Sequence, residues 1–519
     1  MEVKTSIKNF RLSFKKMVKK FTLFETPGSI LMRKSNEELI GEVLTDFPKH
    51  PQMMVAASLR NDLDVDLIDI KSLSKGRLEP YGEFNYGDDI LIKLRVGASF
   101  SSVKNKIEES DFIGITSNYT YESNIVRDFV KYIRNVNPES KILIGGSDAT
   151  ERPDYHLSNG VDVVMKGKSE FTVSHVIKAL IDTKSLNEVP GIYYMNNGYL
   201  KENLKRGIEK ISDLPLPALD LGKIYRWSQA TEGGLPQGVS KKVGVLETSR
   251  GCNEACPFCA TTFQIGLFKG MSLEQIVKNI EHLKKYNIET VVIIDDNILY
   301  RVKNKYGGLN GRNDLIKMFD YMYREGFAWT FYNGIQFGLL ENGGGIDTKL
   351  IDSMFQNNNE TRKPNERYIG AFRAYIPAER LIEEEIKKFK KLKPFEIQNT
   401  IIKEIAFKKP AALNIGFIIG YPQDSHDSLA QMKKRGDEIR EIINKSSNSK
   451  TLPYFIPFCL IPIPGTPDYR SALKNQRFAY NINEHPELMN GYASILNGYH
   501  FSAEEITKRR YILAGELNK

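Results

Sequence analysis

A chain of 519 residues exceeds what one hydrophobic core usually supports, so two domains with extensions are expected. Hydrophobic residues at 41% and charged residues at 26% are the proportions of a folded globular protein and exclude a disordered or fibrous one. The net charge of +9 is spread along the chain among interleaved acidic residues, which argues against a nucleic-acid partner, and no apolar run of about 18 residues exists to span a membrane.

Residues 1–49 read as a basic extension. Lys4, Lys8, Arg11, Lys15, Lys16, Lys19 and Lys20 punctuate Phe10, Leu12, Phe14, Met17 and Phe21, a pattern that suits an amphipathic helix docked on the protein or resting peripherally on a membrane surface. No apolar segment follows to make a signal peptide.

Residues 50–205 alternate helix and strand, the pattern of a doubly wound, Rossmann-like α/β domain. Short apolar strands are predicted at 65–70, 112–116, 141–144 and 161–165, with Ile125, Val126, Phe129, Val130 and Ile133 at helical spacing between them. The later strands end in Ser117-Asn118, Gly145-Gly146 and Gly167, at the carboxyl ends where open α/β sheets bind ligands. Asn197-Gly198 between apolar stretches predicts a hairpin, and Pro215 and Pro217 mark an extended linker within 206–240.

Residues 241–470 alternate again, with strands predicted at 243–248, 290–294, 329–332, 368–372, 413–419 and 454–460. Ser272 with Gln275 makes a capping box ahead of the helical stripe Ile276, Val277, Ile280 and Leu283. Six strands with intervening helices make a partial (β/α)6 barrel, whose chemistry lies on the loops after the strands. Residues 342–364 read as a substrate lid or an insertion, and 471–519 as a short helical C-terminal region.

Only four cysteines occur, and Cys252, Cys256 and Cys259 share one short loop after the first barrel strand. That spacing argues against disulfides and for cluster or metal ligation in a reducing cytoplasm. Three soft thiolates select an iron–sulfur cluster or zinc; a structural zinc site takes four ligands, and no Cys or His nearby completes the set. Three ligands on a four-iron cube leave one iron open. Cys459 lies in an apolar run and reads as a small core residue.

The CxxxCxxC loop after the first strand of such a barrel resembles the radical S-adenosylmethionine (SAM) superfamily. The resemblance implies a [4Fe-4S] cluster on Cys252, Cys256 and Cys259, with SAM on the open iron. An electron from a donor such as flavodoxin or ferredoxin would cleave SAM to methionine and a 5'-deoxyadenosyl radical. It places Phe258 near adenine, Asp295 and Asp296 by the SAM ammonium, and Gly416, Ile418 and Gly420 in a strand passing adenine. Where relatives carry Glu-Ser or Gln-Ser after the fourth strand, this chain has Arg373, a candidate for the SAM carboxylate.

The order of Rossmann-like domain, Gly-Gly turn, hairpin, Pro-rich linker and cluster barrel resembles the cobalamin-binding subfamily over residues 50–470. That implies a base-off cobalamin whose nucleotide tail lies among Ser117, Asn118, Gly145, Gly146 and Gly167. The Asp-x-His-x-x-Gly motif is absent; His156, in a near miss with one residue too many after the wrong strand, is rejected as a cobalt ligand. The activity so implied is methyl transfer to an unactivated carbon or phosphinate of a small molecule or natural-product precursor. The rival readings are radical oxidation, cyclisation or rearrangement with a degenerate cobalamin domain, and a non-catalytic iron–sulfur protein. The absence of cysteines before Cys252 argues against a methylthiotransferase.

Overall fold

The computed structural model describes residues 19–42, 47–73, 76–204, 210–222, 235–341, 343–387, 389 and 391–519. Its amino-terminal half runs through β1 (Lys20–Glu25), β2 (Gly28–Arg33), β3 (Leu39–Ile40), β4 (Asp64–Asp69), β5 (Leu78–Tyr86), β6 (Asp89–Val96), β7 (Phe112–Thr116), β8 (Lys141–Gly145), β9 (Val163–Met165), β10 (Ile192–Asn196) and β11 (Tyr199–Asn203). Seven of these form one sheet in the order β11-β10-β9-β8-β7-β1-β4. The five strands from β9 to β4 are parallel, and the predicted hairpin of β10 and β11 continues the sheet antiparallel. Taken in chain order the parallel strands run 2-1-3-4-5, so the order of strand addition reverses between β1 and β7, where open α/β sheets bind ligands.

β1 corrects the expectation that residues 1–49 are an extension. Phe21-Thr22-Leu23-Phe24 is buried on both faces, as a central parallel strand requires, and pairs with β4 on one side and β7 on the other. The flanking lysines hid it: Lys19 and Lys20 make surface ion pairs with Asp111 and Glu109 at the amino end of the sheet. Residues 1–18 of the expected amphipathic helix lie outside the described residues.

A second sheet, β3-β2-β6-β5, was not anticipated. Its Leu31, Ile40, Tyr86 and Leu91 share a core with Leu460, Leu488 and Leu496, so it fastens the amino-terminal half to the end of the chain. Tyr86 Oη reinforces the junction by donating to the carbonyl of Ser494 at 2.7 Å.

The second half runs through β12 (Val243–Leu246), β13 (Ser249–Arg250), β14 (Lys269–Gly270), β15 (Thr290–Ile293), β16 (Ala328–Phe331), β17 (Gly370–Glu379), β18 (Ala412–Ile419) and β19 (Leu452–Cys459). Strands β12-β15-β16-β17-β18-β19 form the open, all-parallel barrel in chain order. Val291, Ile293, Trp329, Phe331, Leu413, Ile415 and Phe417 pack outward under the helices, leaving alternate positions to face the interior. Ser272 and Gln275 form the predicted capping box of helix Leu273–Lys285.

Residues 342–364 contain no lid among the described residues. Helix Thr348–Phe355 buries Leu350, Ile351, Met354 and Phe355 completely in the barrel's outer core. Residues 471–519 are only partly helical; the helix Ala503–Leu517 packs on β19. No described helix is long and apolar enough to cross a membrane.

The position of β1 makes a direct prediction. A chain starting at residue 50 should lose the cooperative thermal transition followed by circular dichroism, whereas one starting at residue 19 should keep it. Equal melting of both would show that β1 is dispensable.

Candidate cluster and cofactor site

The cysteine loop springs from a two-residue ladder that pairs Ser249 with Gly270 and Arg250 with Lys269. Gly251 follows with φ +81°, and a Cβ there would lie 2.5 Å from the Leu267 carbonyl oxygen, so only glycine allows the chain to pass. Within the loop Asn253 Oδ1 accepts from Phe268 N–H at 2.8 Å, and Thr262 Oγ1 donates to the Cys252 carbonyl at 2.8 Å. Cys256 is buried while Cys252 and Cys259 are half-buried.

Burial pushes the Cys256 thiol up to about 12, against the lowering influence of Lys391, and raises Cys252 as well. Thiols in such a setting ionise when a cation binds them. Among the described residues no three of His, Cys, Asp and Glu close around a single metal ion. A four-iron cube asks instead for one thiolate at each of three corners, which suits this loop.

The acidic pair after β15 divides its work. Asp295, expected beside the SAM ammonium, commits both oxygens to the end of the first barrel strand: Oδ1 accepts from Thr248 N–H at 2.7 Å, and Oδ2 from the Thr248 and Ser249 hydroxyls. Complete burial raises its carboxyl to about 6 despite these donors. It therefore anchors the root of the cluster loop. Asp296 is less buried and accepts from Gly251 N–H at 2.7 Å, beside the cysteines. Asn297 reaches toward Cys252 Sγ at 3.8 Å and toward Gln336 at 2.5 Å, and Gln336 donates onward to Glu254 at 2.9 Å. Gln336 carried no sequence signal, because its loop follows a strand with no motif of its own.

Gly416 and Ile418 face the barrel interior, as alternation with Ile415, Phe417 and Ile419 requires. A Cβ on Gly416 would overlap the Tyr375 hydroxyl, so the glycine makes room for that ring. Gly420 has φ +88° and donates its N–H to Asp424 Oδ2 at 2.7 Å. Arg380, missed in the sequence, grips Asp424 at 2.6 Å and the Ile418 carbonyl at 2.7 Å, tying the ends of β17 and β18 together.

Arg373 does not stand at a carboxyl strand end. β17 continues to Glu379, and Arg373 sits near its start opposite Thr330 and Ala412, about 20 Å of strand from the loops. The charged groups at that end are Glu379 and Arg380. Glu379 pairs with Lys391, whose Nζ lies 5.7 Å from the Phe258 ring centre, so the aromatic residue of the cysteine loop is bordered by a half-buried lysine.

At the carboxyl ends of the amino-terminal sheet lies a cavity of about 340 Å³. Asn118, Gly145, Gly146 and Gly167 line one side, and Cys259 and Gln264 of the cluster loop line the other. Ser117 is corrected: it is buried beneath the cavity, its hydroxyl donating to Asp148 Oδ2 at 3.1 Å. Gly146, at φ +117°, is a glycine for the fold's own sake, because a Cβ would overlap the Ser117 carbonyl. Gly145 differs. A Cβ there meets Met165 and Ser169 at 3.7 and 3.8 Å, ordinary contact distances on the cavity wall. His156 is buried with its Nε2 2.9 Å from Asp148, away from the cavity lining.

Two clamps hold the halves together. Arg250 bonds Glu247 through two nitrogens at 2.8 and 2.7 Å and Glu170, in the loop after β9, at 2.8 Å. Burial alone would raise the Glu247 carboxyl, but Lys168 and Arg250 hold it well below the usual range. On the other flank Ser147 bonds Gln264.

Residues 246–359 match the family model of the radical SAM superfamily. In sequence the chain is 27% identical over 216 residues to the uncharacterized methyltransferase PH0819 of Pyrococcus horikoshii, covering 40% of this chain and 44% of that protein. It is 24% identical over 388 residues to cytidylyl-2-hydroxyethylphosphonate methyltransferase of Streptomyces wedmorensis, covering 68% and 66%. The chain thus spans less than half of the first relative and about two thirds of the second. In structure it is similar to the methyltransferase TsrM of Kitasatospora setae with cobalamin and a [4Fe-4S] cluster bound, with a TM-score of 0.63 at 12% identity over 96% of this chain and 88% of that one. The cobalamin-dependent radical enzyme OxsB with aqua-cobalamin bound gives a TM-score of 0.63 at 16% identity over 90% and 64%. At these identities the likeness is one of fold.

The burial of Asp295 has a pH signature. Its carboxyl, raised by burial from 3.8 to about 6, holds a proton in the folded state that the unfolded chain releases, so its contribution to stability is full below about pH 4 and lost as pH rises through 6. Relative to Asp295→Asn, the wild-type protein should lose on the order of 2–3 kcal/mol over that interval in urea unfolding. A difference independent of pH would show that burial does not raise this carboxyl.

Proposed function

We propose that this chain is a cobalamin-dependent radical SAM methyltransferase acting on a small molecule or natural-product precursor, because residues 246–359 match the radical SAM family model and the fold is similar to those of cobalamin-dependent members. The observation that carries this reading is the single cavity bounded by the strand ends of the Rossmann-like domain on one side and by Cys259 and its loop on the other. Methyl transfer by this chemistry needs the methyl carrier and the radical source to share one space, and a chain that used the cluster alone would have no need of that shared wall. Two methyltransferases among its relatives fit the same reading.

The residues present suit both groups. Three cysteines in one loop fit a cluster with one open iron, and the half-buried Asp296, bonded to Gly251 N–H beside them, would accept from the SAM ammonium. Gly145 and Gly167 leave the cavity wall bare for a bulky ligand, and no histidine is among the described residues lining it, so base-off cobalamin would be held by shape and backbone. The cluster with SAM supplies a carbon radical and cobalamin supplies the methyl group. The chain's own part is to hold Cys256 buried, to keep Phe258 against Lys391, and to exclude water where the two halves meet. A small reductant such as flavodoxin or ferredoxin would deliver the electron, in the reducing cytoplasm where unpaired thiols persist.

Anaerobic reconstitution with iron, sulfide and hydroxocobalamin tests the proposal. About four irons and one cobalamin per chain are expected, with methylcobalamin formed on adding SAM to the reduced protein. Exchange of Cys252, Cys256 and Cys259 for Ala should abolish iron binding, while Cys459→Ala, whose thiol is packed in the core, should leave it intact. Gly145→Leu should lower cobalamin retention at least tenfold, on the order of a lost pocket, with iron content unchanged. Cleavage of SAM without cobalamin uptake would replace methyl transfer by radical-only chemistry.

A further inference from the structure

The loop between helices Glu383–Ile386 and Phe395–Phe407 brings a charge to the cysteine triad. The Phe389 ring packs on Phe258 with 6.0 Å between centres, and Lys391 Nζ stands 5.7 Å from the centre of that same Phe258 ring. Phe258 lies between Cys256 and Cys259 in the chain, so the ammonium is placed alongside that stretch of the cluster loop. Its backbone is closely seated: a Cβ on Gly338 would come within 3.1 Å of the Lys391 carbonyl oxygen. Glu379, at the end of β17, pairs with Lys391, and their side chains are only 8% and 15% exposed. The other cation at this strand end, Arg380, is matched by two carboxylates, Asp424 at 2.6 Å and Glu385 at 2.6 Å.

The two ends of the Glu379–Lys391 pair act unequally on the buried thiol beside them. Burial is what chiefly raises Cys256; Lys391 opposes it, and its lowering influence exceeds the raising influence of Glu379. The pair is therefore a dipole whose positive end dominates at Cys256. A [4Fe-4S] cube gains one electron on reduction, with no bond formed or broken, and becomes more negative by one charge. A fixed cation nearby stabilises the reduced state and a fixed anion destabilises it, the more so where water is scarce. We propose that Lys391 and Glu379 set the reduction potential of the cluster, the ammonium raising it and the carboxylate limiting that rise, so that the pair governs how readily the loop accepts an electron. This rests on the cluster reading above and not on cobalamin.

The test uses the full chain reconstituted with iron and sulfide, without SAM or cobalamin. The cluster is titrated through its midpoint with low-potential redox mediators, and the reduced form is counted by electron paramagnetic resonance. Lys391→Met should move the midpoint to a more negative potential, whereas Lys391→Arg, which keeps the charge, should stay near the wild-type value. Glu379→Gln should move it the opposite way, to a more positive potential, because the ammonium then acts uncompensated. A pair that only packs the loop would give shifts of one sign or none. Should Lys391→Met fail to hold a cluster, the direction of the shift in Glu379→Gln still decides. An unchanged or more negative midpoint in Glu379→Gln, or an unchanged or more positive one in Lys391→Met, would overturn the proposal while the cluster reading stood. A wild-type protein that assembles no cluster would remove that reading itself.

Discussion

A single guanidinium, that of Arg250, sits between two carboxylates that are themselves almost fully buried, and the placement of the cluster loop depends on it. Glu247 directly follows the first barrel strand, Glu170 belongs to the other domain, and Arg250 stands where the loop begins. Buried ion pairs add little net stability, because desolvation offsets most of their attraction. Their geometry is demanding, however. A planar donor that must satisfy Glu247 with two nitrogens and still reach Glu170 admits few domain orientations, so the interface is specified even where it is not strongly stabilised. Lys168, 3.7 Å from Glu247, balances part of the negative charge.

The loop itself is held by hydrogen bonds from neutral donors. Asp295 receives a backbone N–H and two hydroxyls, and Thr262 and Asn253 bind loop backbone at short range. The acidic motif thus combines two roles in adjacent residues. The first carboxylate builds the scaffold, and the second stays closer to the open side, where Asn297 and Gln336 continue a polar path around Cys252.

The cysteine triad, the barrel strands and the glycines at strand ends were legible in the sequence because each obeys a local rule of ligand spacing, periodicity or turn chemistry. What escaped depended on distant partners. β1 was hidden because Lys19 and Lys20 gave its entry the look of a surface helix, although the four apolar or small residues after them are sealed between two strands. Arg373 was misplaced because β17 runs on through Ile376 and Ala378 beyond the predicted strand end, which moves the loop to Glu379 and Arg380. Ser117 and Gly146 also serve each other, one carbonyl lying where the other's side chain would be, a constraint that the sequence did not reveal. No single-sequence rule separates a glycine kept for a ligand from one kept for its neighbour's backbone.

The junction between the small antiparallel sheet and the end of the chain bears on how the protein comes to be folded. Tyr86 bonds Ser494 across 408 residues of sequence, and Thr507 across 421. Contacts so far apart close last, since the loop entropy they must overcome is among the largest in the molecule. On the ribosome the first sheet can assemble once β11 has emerged, but Leu31, Ile40 and Leu91 keep an uncovered apolar face until Leu460, Leu488 and Leu496 have followed. Through most of synthesis the nascent chain therefore carries a sticky surface whose natural cover has not been made, and its yield in a cell depends on what shields that surface in the meantime.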